Sequence, residues 1–348
     1  NVADSARIQV GRLNNRAGQM QLAGSLELNA QVFSNRDGIL QHSGTQGTHL
    51  QVKGQLDNSG GTLASNANLS IQADTLDNVD GHILHAGDGR VDISAETLNG
   101  ERGTIASNGA LTIKGEKTDI SGGTTQAKAI QIDAGTLTNV GGTIAVTGAN
   151  LLRVSARDGM DNRGGTLVGN GALDIHAKTL ANRDGKIHAA GTDELRVIVD
   201  DQLDNSGGQL QAAGDTTIKA GNLLNQGGTI NAAGPVNVTI QQVLDNRAGK
   251  LVSAADLTVR AGTLDNRDAG LLVSADGNLT VDTRGRSENA RGTLQAAGDV
   301  NLANSGLDNA GGTILGADVK VDTRLAALDN AGGTLASTRG NLTVDSGV

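Results

Sequence analysis

Apolar residues recur at alternate positions over short stretches of this chain, as at Leu69 and Ile71, Leu111 and Ile113, Leu173 and Ile175, Leu257 and Val259, and Leu342 and Val344. Alternation with period two marks a strand with one buried face. Gly- and Asn-rich corners separate the stretches. None is long and regular enough for a helix of about ten residues.

The stretches belong to a repeat, Leu-Asp-Asn-x-x-Gly-x-Leu/Ile, as in residues 56–63. Its last Asn serves as an anchor, and the anchor slot recurs 16 times at spacings of 19 to 23 residues, with a mean of 21. Fourteen slots hold Asn: Asn15, Asn35, Asn58, Asn78, Asn139, Asn162, Asn182, Asn205, Asn225, Asn246, Asn266, Asn289, Asn309 and Asn330. Gly100 and Ile120 fill the other two. Two residues before the anchor stands an apolar residue, except at Thr118 and Ser287. Three after it stands Gly, except at Ala269, and five after it Leu, Ile or Met, except at Thr125. Adjacent spacings often sum to 43, as from 15 to 58 and from 266 to 309, so the unit reads as a two-coil repeat.

Three short strands in about 21 residues cannot pair with one another. They can pair with their equivalents in the next repeat, about 4.8 Å away. The pattern therefore predicts an all-β fold, a right-handed parallel β-helix (solenoid) of about 16 coils with three short strands per coil. Sixteen coils at that spacing give a rod about 75 to 80 Å long. Residues 1–348 read as a single continuous array. The irregular stretches 100–125 and 284–291 read as loosened coils within it. The start at Asn1, without Met or a capping unit, leads us to expect a fragment of a larger protein.

The columns acquire physical roles. The anchor Asn shares parity with the apolar residue before it and is expected to point inward, forming an amide ladder from coil to coil. The 14 Asn residues are thus expected to be structural. The Gly column permits either positive φ or close passage of the chain. Ser65, Ser107, Ala189, Ala212 and Ala232 are expected to fill the narrow part of the coil. Asp57, Asp77, Asp161, Asp204, Asp245, Asp265, Asp308 and Asp329 have outward parity.

Composition narrows the function. The chain has 51 Gly, one Pro, one Phe, and no Trp, Tyr or Cys. An aromatic-poor chain of this length is unlike a single compact domain. A net charge of −9 without a basic block disfavours nucleic acid and anionic membrane as partners. No apolar run reaches the roughly 18 to 20 residues of a membrane span, so no membrane insertion is expected.

The repeat, with Leu-Asp-Asn-x-Gly-Gly-Thr-Leu/Ile followed by Ala-x-Gly-x-Leu-x-Ile/Val, resembles the filamentous haemagglutinin repeat of two-partner secretion exoproteins. The likeness covers the whole chain. It implies the stalk of an adhesin or of a contact-dependent growth inhibition toxin, extracellular on a Gram-negative cell. It also implies export through an outer-membrane two-partner transporter. The resemblance further implies a receptor on a host or neighbouring cell, met through regions outside this chain.

Chemistry is hard to find beside the repeat. Nucleophile-elbow, phosphate-loop and calcium-nonapeptide motifs do not occur. His42, His49, His82, His85, His176 and His188 read as scattered surface residues, with no metal site and no cofactor expected. The Arg pairs 16 and 36, 163 and 183, and 247 and 267 follow the anchor in neighbouring coils. Each pair is either a ladder neutralised by the Asp column or a clamp for a glycan anion, and neutralisation is the favoured reading. We therefore expect a non-enzymatic filament shaft. A glycan-binding flank is the alternative, and a polysaccharide-degrading enzyme the least favoured reading.

Overall fold

The computed structural model describes residues 5–347. All its regular elements are strands, paired in parallel from one repeat to the next as a β-solenoid of about 16 turns. The chain forms two compact units, Asn1–Ala177 and Lys178–Val348.

In the first unit each coil contributes a four-residue strand and a longer one. Thr62–Ser65 lies between Ile39–His42 and His82–His85, with Leu63 beside Leu40 and Ile83. On the other sheet, Thr48–Asp57 lies between Ser25–Ser34 and Leu69–Asp77, with Leu50 beside Leu28 and Ile71. Like residues thus stack on like, and the buried Leu, Ile and Val columns form the core. The second unit repeats the scheme, with Leu251 beside Ile230 and Leu272, and Val259 beside Val238 and Val281.

The three expected segments per coil are present, but their separation differs along the chain. In the first unit the second and third segments run on as one strand. Within Arg90–Asn99 the buried positions are Val91, Ile93 and Ala95, then Leu98, so inward parity changes inside the strand. A regular pleat cannot do this. The register shifts between Val52 and Gln55 and between Ala134 and Thr136 mark such a break in the pleat. In the second unit Leu195–Asp204 and Thr216–Leu224 still run on, but from residue 236 the break widens and divides the strand, as in Leu257–Ala261 and Thr263–Asp265.

One core position differs from the sequence reading. Leu271, five after its anchor, is half-exposed, and Leu272 is the buried residue that pairs with Leu251 and Leu294. Ala269 is an inserted corner residue with positive φ, and Gly270 takes the place usually held by the Gly three after the anchor. The extra residue moves the following strand along by one.

Candidate functional site

The most regular polar structure is the corner that carries the anchor. Where the next slot also holds Asn, as along most of the array, the anchor side chain turns inward and donates from Nδ2 to Oδ1 of the Asn one coil on. The distance is 2.7 Å from Asn35 to Asn58, 2.8 Å from Asn205 to Asn225 and 2.7 Å from Asn246 to Asn266. Nδ2 also donates to the carbonyl of the Gly three residues later, at 3.3 Å from Asn205 to Gly208. Nearly every buried amide is thereby occupied, as burial demands.

In the first unit the ladder runs from Asn15 to Asn78 and resumes from Asn139 to Asn162. In the second it runs unbroken from Asn182 to Asn330. The gap at Gly100 and Ile120 leaves Asn139 Oδ1 buried without a donor. The same stretch leaves buried Thr118 Oγ1 without a partner.

The turn that follows the anchor assigns the Gly column one role. The anchor carbonyl accepts from the N–H three residues on, as Asn225 does from Gly228 at 3.1 Å. Positive φ falls two after the anchor, at Asp37, Gly60, Asp80 and Ala248 among others, which is the geometry of a type II turn. The Gly of the repeat is needed for close passage instead. A Cβ on Gly249 would overlap the carbonyl oxygen of Asn225, one coil below.

The Asp column is less outward than parity suggested. Asp204 and Asp245 are buried. The carboxylate caps the turn, with Ser59 N–H donating to Asp57 Oδ1 at 3.1 Å and Arg247 N–H to Asp245 Oδ1 at 3.2 Å. Burial alone would raise the pKa of Asp57. Hydrogen bonds from Ser59 and Arg36 overcome this and hold it below the usual carboxylate value. Asp161 and Asp245 are lowered by the same balance, through Arg163 in one case and Arg247 with Gln226 in the other.

These bonds engage the arginines. Arg36 pairs with Asp57 at 3.0 Å, Arg183 with Asp204 at 2.5 Å, and Arg267 with Asp265 at 2.7 Å. Arg163 meets Asp161 at 2.6 Å, and Arg247 meets Asp245 at 2.7 Å and Asp265 at 3.5 Å. A ladder of paired charges weakens the case for an open anion clamp.

Two histidines are not where the sequence reading put them. His49, His82, His176 and His188 are exposed, but His42 and His85 are buried at 1% and 3% exposure. They occupy the column that Ser65 and Ser107 fill in the next coils. Nδ1 of His42 lies 3.2 Å from Ser65 Oγ, and Nδ1 of His85 lies 2.9 Å from Ser107 Oγ. The signal was present in the sequence, since the parity that turned Ser65 and Ser107 inward applies equally to 42 and 85.

A second polar ladder escaped the sequence reading. At the exposed corner before the buried residues 257, 279, 300 and 319, side-chain oxygens accept the backbone N–H of the next coil. Asp256 accepts from Asn278 at 2.8 Å, Asn278 from Asp299 at 2.8 Å, and Asp299 from Asp318 at 3.2 Å. Its signal is an Asx residue immediately before an inward Leu or Val.

Shallow cavities of about 330, 350 and 560 Å³ lie on the outer face of the long strands of the first unit. Gln51 and Lys53 line the first, and Gln72, Arg90, Asp92 and Lys114 the largest. Among the described residues no group of three or more His, Asp or Glu side chains is placed to hold a metal ion. The model for the haemagglutinin repeat matches residues 1–60, 50–96, 86–164, 145–207, 192–248, 232–282 and 274–347. No curated protein and no solved structure matches the chain. The repeat period, the stacked parallel strands and this coverage agree, and the chain belongs to the haemagglutinin repeat family.

Proposed function

We propose that both units are lengths of a non-enzymatic shaft in an exported bacterial surface protein, and that residues 1–348 form one continuous repeat array. The array's task is mechanical, to hold a receptor-binding or toxin region away from the cell. The supporting observation is the register. Coil after coil the backbone bonds to the next coil, the anchor side chains join it except around Gly100 and Ile120, and among the described residues no coil gives up its place to a projecting loop. Stability in such a stack is close to a sum of coil and interface terms, so coil number sets reach without altering the rest. On this reading the chain crosses the outer membrane unfolded through a two-partner transporter and folds outside. The absence of Cys is compatible with that route, since no disulfide forms before export.

Two deletions in the parent protein test the reading. Removing residues 247–289 joins Asn246 to Ala290, so Gly292 falls three after the anchor and the turn keeps its phase. Removing residues 247–279 instead puts strands out of register. The shaft reading expects the first deletion to be exported and displayed normally, with reach shortened by about 10 Å at two strand spacings. It expects the second to lose display. Loss of a specific binding activity in the first deletion, with display intact, overturns the shaft in favour of a binding flank.

A further inference from the structure

His42 and His85 stand two coils apart in one buried column, each followed by a serine. Ser65 Oγ donates to the Ala67 carbonyl at 2.8 Å, so it accepts from Nδ1–H of His42. Ser107 Oγ lies 2.9 Å from Nδ1 of His85 and accepts the Gly109 N–H at 3.0 Å. In both rings Nε2 is buried with no hydrogen-bond partner. A bare lone pair there is tolerable. A proton on it creates a cationic donor with no acceptor, inside the core, and that is costly.

We propose that the Ser65–His85–Ser107 column is an acid-operated release in the first unit: proton uptake at the unpartnered Nε2 of the buried His85 opens the corner at residues 85–89 and loosens the coils around it.

The surroundings of His85 support this. The strands below and above, Thr62–Ser65 and Thr104–Ser107, present Ser65 and Ser107 to the column. Across the core, Leu69–Asp77 and Arg90–Asn99 turn Leu69, Ile71, Val91 and Ile93 inward, none of which titrates. The corner itself carries Asp88. Burial pushes the His85 pKa below the usual histidine value, and the Ala67 carbonyl and Asp88 oppose it without cancelling it. Around His42, the strands Gln19–Leu22 and Thr62–Ser65 present Leu22 and Ser65, and the corner 43–47 has no charged residue. The sign follows from linkage. A group whose pKa is lowered by folding contributes stability above its unfolded value, near 6.5, and loses it as pH falls below that.

Hydrogen exchange read by mass spectrometry on the whole chain, at pH 7.5 and pH 5.0 and corrected for intrinsic rates, tests the release. Protection over residues 82–89 and 104–109 is expected to fall by up to about 30-fold at pH 5.0, the ratio set by an unfolded pKa of 6.5. His85→Ser, a residue this column already holds at 65 and 107, is expected to remove that fall. An unchanged protection ratio in the wild type, or the same fall in His85→Ser, overturns the proposal. Should His85→Ser lose protection already at pH 7.5, imidazole NMR titration of the wild type decides. A His85 ring still neutral at pH 6 supports the release, and titration at the ordinary histidine value overturns it.

Discussion

Neighbouring residues in the corner carry opposite demands, and substitution should show this. Ala248 holds positive φ, which costs an L-residue about 1 kcal/mol, whereas Gly249 passes against the Asn225 carbonyl. Ala248→Gly is therefore expected to stabilise the protein slightly, by up to about 0.5 kcal/mol once the entropy cost of Gly is offset, and to raise the midpoint of thermal unfolding accordingly. Gly249→Ala should lower it. Equal effects of the two changes would contradict the assignment of positive φ and close passage to separate positions. At the anchor, Asn205→Leu removes the donor to Asn225 and Gly208 and takes away the side-chain oxygen to which Asn182 donates. A loss of about 1 to 3 kcal/mol is expected from the stranded groups, read by chemical or thermal denaturation. Full stability in Asn205→Leu would argue against a structural ladder.

Within the coil, the short strand and its corner behave as one element joined to its neighbours by three kinds of bond. Backbone ladders join the strands, Asn amides join the corners inside, and Asp side chains cap the turns outside. The ladder is weakest where Gly100 and Ile120 interrupt it, beside the unpartnered Thr118 and Asn139 atoms. Native-state hydrogen exchange at neutral pH should accordingly show lower protection at residues 118–125 than at the matching residues 223–230, where the ladder is complete. Equal protection would mean that the backbone ladder alone sets local stability.

Across the whole molecule, acid should act in two windows. His85, whose pKa burial lowers, lies in the first unit, so that unit should lose protection first, as pH falls below about 6.5. Carboxylates with lowered pKa lie in both units, as Asp57 and Asp161 in the first and Asp245 in the second. Their contribution is present above the unfolded value, near 3.9, and is lost as pH falls through the lower folded one. The second unit should therefore hold to about pH 4 and then weaken. Exchange measured unit by unit between pH 7.5 and pH 3 checks the order. Simultaneous loss in both units would remove any special role for the histidine column.

Period, strand alternation and the Leu–Asn parity in residues such as Leu76 and Asn78 determined the coil, its core columns and the family, because each repeats the same demand 16 times and local noise averages out. Tertiary structure decided what a single column does when more than one role fits its residue type. Gly at 249 reads equally as a positive φ or a close approach until the coil below is in place. Asp245 reads as surface by parity, yet the turn it caps folds over it. Leu271 and Leu272 cannot be ranked until the inserted Ala269 is absorbed in the corner. His42 and His85 look like surface residues by composition although their parity is inward, and the serines stacked on them show which of the two signals wins. In each case the deciding group belongs to another coil or to a turn whose path the spacing does not specify. Periodicity states which residues share a column, whereas what presses on that column is set by the neighbouring coil.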